Sequence, residues 1–347
     1  MSKGKVYLVG SVPLSDAEQV FETVSTVLGP RIKRIPDGEI GPRLDWIFWL
    51  EPIFANCPAL QKSGDFFQLH AQSPKFERYT LRSGYKPQDV TFENLFYADI
   101  AKQSFAAFKR LKDEGRIGRD VKFQVDLVPA HSLLWLFLVD ALHAPIDPIY
   151  NEAVKREVDK IAAAIPHDEL AIQFDVASAV FARLERNETS GYGKSKQETQ
   201  ETFTNILVDL AGQVPADIDL LFHFCYGDSN HRHVVEPTDM VDMVALANRI
   251  SADIARPIQL FHMPVPRNRV DDSYFAPLTG LKLGPGTELC LGLLHYTDGL
   301  DGSKKRLAAA KKFASDFLIA TECGFGRRDP GSIPELLRLH REMADLL

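Results

Sequence analysis

Two residues at the end of an apolar segment could hold a metal ion. The segment DIDLLFHFCYG is apolar enough for a strand inside a sheet, and His223 and Cys225 lie at its end. Because side chains alternate between the two faces of a strand, these two residues point to the same side. Cys323 ends a second apolar segment, FLIATECGFG. One imidazole and two thiolates form a ligand set suited to zinc, with a fourth position left over.

These residues require a scaffold that brings distant strand ends together. Eight segments have the composition of strands, and helical patterns follow most of them. The predicted strands are KVYLVGSVP, RIKRIPDGE, VKFQVDLVPA, ELAIQFDVASA, DIDLLFHFCYG, RPIQLFHMPV, TELCLGLLHYTDG and FLIATECGFG. The repeat of strand and helix shows no break in composition. It predicts an α/β protein whose residues 1–347 form a single-domain (β/α)8 TIM barrel.

Helical periodicity and turn signals place the remaining elements. Ser15 and Glu18 have the spacing of a capping box before a first helix that stops at Gly29. Further helices are predicted around residues 95–114, 150–165, 195–213, 238–251 and 303–318. Residues 43–90 do not fit the repeat. In this stretch RLDWIFWLEPIF predicts a helix and FFQLHAQSPKFERYTLRSGY predicts a hairpin, so we expect an insertion after strand two.

The barrel prediction selects candidate site residues by position. Active sites of this architecture form at the carboxyl ends of the strands, so polar residues there are candidates. They are Ser11, Asp37, Glu39, His131, Asp175, His223, Cys225, His262, His295, Asp298, Glu322 and Cys323. So many ionisable side chains at one mouth favour an enzyme over a structural protein or a binding module. His231 and His233, in SNHRHVVEP, are expected to lie solvated on a loop.

Six segments follow the same order as motifs of a known family. LVGSVP resembles an Ile-Gly-Ser-(Phe/Tyr)-Pro opening, PDGEIGPR an Asp-Gly-Glu motif, and IQFDVA an Ile-Gln-Ile-Asp-Glu-Pro strand. HFCYGD and ECGFGRR resemble the two zinc motifs, and LGPG resembles the segment before strand seven. The chain thus resembles the catalytic barrel of cobalamin-independent methionine synthase. Its relatives belong to the uroporphyrinogen decarboxylase/methionine synthase-like superfamily and include epoxyalkane:coenzyme M transferases.

The resemblance implies a zinc-dependent methyl or alkyl transferase that activates a small thiol. His223, Cys225 and Cys323 would hold zinc, and His262 stands near the family's strand-six zinc glutamate as a fourth ligand. A free thiol is mostly protonated at neutral pH, whereas a zinc-bound thiol is a thiolate that can attack an alkyl carbon. The expected substrate-binding residues are Ser11 and Asp175. Asp37, Glu39, His295 and Asp298 would bind the donor or protonate its leaving group.

Departures from the family pattern limit which of the family's substrates can be expected for this chain. Val176 stands where the family has a second acid, and strand seven ends in GLLHYTDG where methionine synthases have a Ser-Pro turn. The chain also lacks the N-terminal half of the full-length enzymes, which argues against methyl-folate as the donor. We therefore expect a small-molecule thiol and another methyl or alkyl donor as partners. Delivery of the methyl group by a corrinoid protein stays open.

Two other functions fit the same barrel. A metal-dependent hydrolase or lyase would use the metal to activate water instead of a thiol, and thiol-dependent turnover would exclude it. A decarboxylase of the uroporphyrinogen decarboxylase type would need a polypyrrole site and no metal. The zinc-like motifs count against this second alternative.

Composition excludes several classes of partner. The 47 acidic residues outnumber the 40 basic ones, and no cluster of Lys and Arg suited to phosphates occurs, so nucleic acid is not expected. The apolar segment HSLLWLFLVDALHAP is shorter than the roughly 20 residues that span a membrane. We expect no signal peptide before the first strand, and the four cysteines are too scattered for a disulfide framework. A cytoplasmic protein is expected.

Overall fold

Seven parallel strands form one curled sheet at the centre of the protein. The computed structural model describes residues 4–71, 73–188, 191–227 and 232–347. The strands within this part of the chain are β1 (Arg34–Pro36), β2 (Leu60–Gln68), β3 (Lys75–Leu81), β4 (Lys122–Leu127), β5 (Leu170–Val176), β6 (Asp219–Phe224), β7 (Leu260–Pro264), β8 (Glu288–Leu294) and β9 (Leu318–Thr321). The sheet has the order β1-β4-β5-β6-β7-β8-β9, and β2 pairs with β3 separately. All carboxyl ends of the large sheet therefore lie at one edge.

Helices connect the strands of this sheet. They are α1 (Ala17–Leu28), α2 (Glu51–Ala55), α3 (Tyr97–Asp113), α4 (Ala130–Phe137), α5 (His143–Ala164), α6 (Ser178–Arg186), α7 (Lys196–Gln213), α8 (Val241–Asp253), α9 (Asp272–Phe275), α10 (Gly299–Ala310) and α11 (Ile333–Ala344). Among the described residues, no helix combines the length and apolarity needed to cross a membrane. The buried segment predicted from HSLLWLFLVDALHAP contains α4, all of whose residues are buried.

Two helix boundaries differ from the sequence prediction. The N-cap of α1 is Asp16, whose side chain accepts a hydrogen bond from the Gln19 amide, rather than Ser15. The Ser15 hydroxyl instead donates to Asp16 and Gln19. The predicted helix over 303–318 ends at Ala310, because the chain must turn before Leu318 pairs with β8. Local periodicity predicted both helices but not their ends.

The first predicted strand forms isolated bridges and no regular strand. Val6 makes parallel bridges with Ile32 on one side and with Ile319 on the other. The Tyr7 amide donates to the Ile319 carbonyl, and the Ile319 amide donates to the Lys5 carbonyl. Residues 5–7 therefore lie between the two edges of the seven-stranded sheet. Among the described residues, the expected eighth regular strand is not confirmed, because pairing here covers too few residues.

Residues 43–90 are helical turns followed by an antiparallel hairpin. The predicted helix over RLDWIFWLEPIF is broken into two 3-10 turns and the short helix α2. The break occurs at Trp46, whose φ of 55° is incompatible with a continuous right-handed helix. The hairpin of β2 and β3 begins at Leu60, earlier than the sequence predicted, and contains a register shift between Lys62 and Phe66.

A buried acid on α5 predicts an unusual dependence of stability on pH. Asp147 is 3% exposed, accepts hydrogen bonds from Asn151 and Tyr192, and burial raises its pKa to about 7. An unfolded Asp ionises near pH 3.9, so between these values only the unfolded chain loses the proton. Stability should therefore fall as pH rises from about 4 to about 7, and Asp147→Asn should abolish this fall.

The measurement is thermal unfolding at pH 4.5 and pH 8. At pH 8 the Asp147→Asn variant should melt above the unchanged protein, and at pH 4.5 the two should be close. Asp209→Asn is the control, because the Asp209 side chain is exposed and its replacement should change the free energy of unfolding only slightly. An equal shift of the melting temperature at both pH values would contradict the prediction.

Candidate active site

Three side chains predicted as metal ligands converge at the carboxyl edge of the sheet. His223 lies near the end of β6, Cys225 follows that strand, and Cys323 follows β9. One ligand atom from each residue lies within 4.8 Å of the others, and the two sulfur atoms are 3.9 Å apart. Cys225 also accepts a hydrogen bond from the Gly227 amide at 3.2 Å. A backbone donor at this sulfur favours the thiolate form that binds metals.

His262 lies behind His223 and is not one of the three converging residues. Its Nε2 is 3.0 Å from the Thr321 carbonyl, which can only accept, so Nε2 carries the hydrogen. Burial lowers the pKa of His262 to about 3, so its Nδ1 is an acceptor. That atom lies 2.8 Å from His223 Nδ1, which must therefore donate.

The pair of imidazoles fixes the tautomer of His223. Burial, followed by the neighbouring His262, lowers the pKa of His223 well below its usual value, so the ring is neutral. With the hydrogen on Nδ1, the lone pair of His223 is on Nε2, the atom available to a metal. A metal-ligating histidine commonly donates its other N–H to such a partner. Both ring nitrogens of His262 are already engaged, which supports an outer position for the residue predicted as the fourth ligand.

Replacement of His262 distinguishes an outer position from a ligand. In His262→Leu, we expect zinc affinity to fall by about 10–100-fold, the usual effect of losing an outer partner. The check is a competition titration with a chelator. His340→Leu is the matched control, because His340 is a buried histidine whose hydrogen bond among the described residues goes to Leu336 of its own helix, α11. A loss of zinc as complete as that caused by removing a cysteine would instead identify His262 as a ligand.

A pocket of about 140 Å³ opens onto the three converging residues. Its polar side includes Ser11, Glu39, Asp175 and the three candidate ligands, and its apolar side includes Trp46, Phe48 and Phe76. A cavity of about 150 Å³ accommodates a molecule the size of benzene. The pocket therefore suits small organic substrates.

Three carboxyl groups lie beside this pocket, those of Asp126 and Asp175 buried and that of Glu39 half-buried. Burial is the main cause that raises the pKa of Glu39, to about 7, and of Asp175 and Asp126 well above the usual value. Their mutual repulsion adds to the shifts of Asp126 and Asp175. An ideal Cβ on Gly10 would lie 2.8 Å from Asp126 and 3.0 Å from Glu39, so only glycine leaves room for both acids. A cationic ligand group bound beside this cluster would favour ionisation of its carboxyl groups.

Buried amide side chains hold the N-terminal segment over the sheet. Gln173 donates to the Val9 carbonyl at 2.8 Å and to Asp175 at 2.8 Å. Gln124 makes the corresponding bonds to Val9 and to Asp126. The Ser11 hydroxyl, farther along this segment, accepts a hydrogen bond from the Gly326 amide. Ser11 therefore links the first segment to the loop of Cys323 as well as lining the pocket.

Asp37 and Asp298 are both held in ion pairs. Asp37 accepts hydrogen bonds from Arg43, Ser104 and the Glu39 amide, and it does not line the pocket. Asp298 forms a bidentate pair with Arg306, at 2.7 and 2.8 Å. These contacts support structural roles for two residues expected to act on the donor.

Comparison with known proteins gives similarity of structure only. No protein-family model and no curated protein sequence matches the chain. A solved structure of a B12-independent methionine synthase from Shewanella sp. W3-18-1, in complex with selenomethionine, is 12% identical, with a TM-score of 0.66. That alignment covers 99% of this chain and 97% of the other. The chain has the fold of that protein.

A second solved structure agrees with the first. A putative vitamin-B12 independent methionine synthase from Listeria monocytogenes is 14% identical, with a TM-score of 0.57. The alignment covers 98% of this chain and 97% of the Listeria protein. The resemblance inferred from short motifs is thus supported at the level of the fold.

A second cavity lies on the other side of Cys323 and contains a residue that the sequence placed in solvent. His233 is largely buried, 3.0 Å from Glu322 and 3.2 Å from Glu236. Burial alone would lower its pKa, but hydrogen bonds with both acids raise it to about 10. His295 lines the same cavity, and its Nε2 lies 2.8 Å from the Val265 carbonyl. His231 is outside the described residues.

His131 and Asp126 also differ from what the sequence suggested. His131 is fully buried against Phe203 of α7, away from the pocket lining, and burial lowers its pKa to about 3. Asp126 was not among the expected candidates although it lies one residue before the end of β4. The signal for Asp126 was the alternation of Gln124 and Asp126 in an otherwise apolar strand, since residues two apart share a face.

Proposed function

We propose that this protein is a zinc-dependent transferase that moves a methyl or alkyl group onto a small thiol. The observation that carries the proposal is the convergence of His223, Cys225 and Cys323 at the base of a small pocket. Two sulfur atoms and one neutral imidazole nitrogen are ligands that zinc prefers. Zinc bound there would supply a thiolate at neutral pH by favouring the charged form of a substrate thiol.

The residues around the ligands have separate tasks in this proposal. His262 holds His223 in the tautomer whose Nε2 is free to bind, and the Gly227 amide stabilises the Cys225 thiolate. Asp175 pairs with His223 in the register of β5 and β6 and lines the pocket, so it can bind an amino group on the thiol substrate. Glu39, which follows β1 at the same edge, also lines the pocket and is assigned to the alkyl donor.

The fold comparison supports the choice of reaction class. The Shewanella protein of the same fold is a methionine synthase whose solved structure contains selenomethionine, the selenium analogue of a methylated thiol. The proposal also includes a (β/α)8 barrel in which residues 5–7 act as the eighth member of the sheet. Hydrogen bonds on both sides of Val6 support this closure.

Metal analysis combined with thiol titration tests the proposal. Purified protein should contain about one zinc per chain and bind one of homocysteine, coenzyme M, glutathione or cysteine. Because a free thiol has a pKa near 8.5, binding as thiolate at pH 7 should release about one proton, measurable by calorimetry in buffers of different ionisation enthalpy. Protein without zinc would overturn the proposal. Turnover of a substrate without any thiol would also overturn it and would favour the metal-dependent hydrolase or lyase.

A further inference from the structure

The small pocket combines an aromatic wall with more carboxyl groups than cationic side chains. Phe48 and Phe76 are stacked, with ring centroids 4.5 Å apart, and both line the pocket together with Trp46. The ionisable residues of the lining, apart from the candidate metal ligands, are Glu39, Asp45, Asp175 and Arg327. The lining thus contains three carboxyl groups and one guanidinium. Aromatic faces and carboxylates together are the surroundings that bind onium cations in proteins.

Backbone strain marks one residue of each kind. Glu39 has a φ of 46° and Trp46 a φ of 55°, and both line the pocket. Side chains other than glycine rarely adopt such values, and strained conformations persist where the surroundings impose them, commonly at ligand sites. The strained positions therefore include one acid and one aromatic residue of the same pocket.

An unpartnered acceptor lies in a separate small cavity near Glu39. Gln124 is 1% exposed, and its Oε1 has no hydrogen-bond partner among the described residues. It lines a small cavity of about 10 Å³ together with Glu39 and Asp126. Buried carbonyl oxygens normally have a donor, so this oxygen is an unused acceptor in a cavity that shares Glu39 with the pocket.

From these observations we propose that the alkyl donor is an onium compound, a sulfonium or quaternary ammonium ion, held between the aromatic wall and Glu39. This rests on the proposed thiol alkylation. In the step, the substrate thiolate forms a bond to the methyl or alkyl carbon, and the bond from that carbon to the positive sulfur or nitrogen breaks. The electron pair stays on the leaving atom. A neutral thioether and a neutral sulfide or amine result, so atoms and charge balance.

This donor class agrees with the state of the residues first expected to act as acids. A neutral leaving sulfide or amine needs no proton at the moment of transfer. Asp298 is held by Arg306, and His295 Nε2 is engaged with the Val265 carbonyl in the second cavity. Transfer from an onium donor therefore needs no proton from either residue.

Paired titrations test the inference. Zinc-loaded protein is titrated with choline and with 3,3-dimethyl-1-butanol, which has the same shape but no charge, and zinc content and thiol binding are measured on the same preparation. Choline should bind at least about tenfold more tightly. Trp46→Ala and Glu39→Gln should each lower choline affinity by about tenfold. Phe66→Ala should not, because Phe66 is 59% exposed on β2.

The outcomes separate the two proposals. Equal binding of choline and its neutral analogue by protein that holds zinc and thiol would overturn the onium donor and leave the thiol transferase standing. Equal choline affinity in Glu39→Gln and the unchanged protein would also overturn it. The Glu39→Gln variant keeps the test decisive if Trp46→Ala does not fold. Absence of zinc and thiol binding would overturn both proposals. Methyl transfer from trimethylsulfonium to the bound thiol is the expected positive result.

Discussion

The Cys225→Ser variant is expected to retain less than about one tenth of the zinc bound by the unchanged protein. A serine hydroxyl does not ionise in this pH range and is a poor ligand for zinc compared with a thiolate. The remaining His223 and Cys323 offer two donors, fewer than the three that protein zinc sites require. Thiol alkylation should fall by more than the roughly 100-fold that follows loss of an outer partner. Elemental analysis after gel filtration and a transfer assay measure the two effects.

Cys57→Ser provides the control for loss of a thiol. Cys57 is also buried, but it lies between α2 and β2 and does not line the pocket. The Cys57→Ser variant should keep its zinc. Thermal melting of both variants shows whether each is folded. A folded Cys225→Ser protein with a full complement of zinc would mean that the metal binds elsewhere, and the proposed ligand set would be abandoned.

The convergence of the three candidate ligands could be predicted because it depends on topology more than on detail. Cys225 and Cys323 are far apart in sequence, yet both follow strands of one parallel sheet. Any parallel arrangement of these strands brings their carboxyl ends to one edge, so strand prediction alone places Asp175, His223 and both cysteines near each other. Seven of the eight expected strands were confirmed by the structure for the same reason, since apolar segments flanked by turns are strong signals.

The roles of individual side chains depend on register and on distant partners, which the sequence does not give. His223 and His262 are direct neighbours in the pairing of β6 and β7, and this register creates the hydrogen bond between their rings. A shift by one residue would have put His262 on the other face. His233 was expected in solvent because nothing near it in sequence shows that Glu322 lies beside it.

The position of Trp46 in the pocket wall could likewise not be predicted from sequence periodicity. The segment around Trp46 has the composition of a helix, but the positive φ of Trp46 breaks that helix, and Trp46 lines the pocket. Conformations of this kind are imposed by tertiary contacts, because the isolated segment would avoid them. Prediction from local sequence therefore fails at such strained positions for a physical reason.

Asp298→Ala is expected to lower the free energy of unfolding by about 3–5 kcal/mol, because it leaves a buried charge without its partner. Arg306 is completely buried, and Asp298 is the only carboxylate that pairs with it among the described residues. The folded fraction should keep its transferase activity, since this ion pair does not line the pocket. Urea unfolding gives the free energy, and activity is measured at low temperature, where the variant stays folded.

Two further variants separate stability from catalysis. Asp301→Ala removes an exposed acid from the first turn of the same helix, α10, and should change the unfolding free energy by less than about 0.5 kcal/mol. In Gly302→Ala the new Cβ would lie 2.0 Å from the Asp298 carboxylate, so it should displace that group and destabilise the protein while every ionisable side chain is retained. If Asp298→Ala kept full stability and lost alkyl transfer, Asp298 would act on the donor, and the sequence-based assignment would be restored. Loss of stability in both Asp298→Ala and Gly302→Ala, with activity retained, would fix its role as the partner of Arg306.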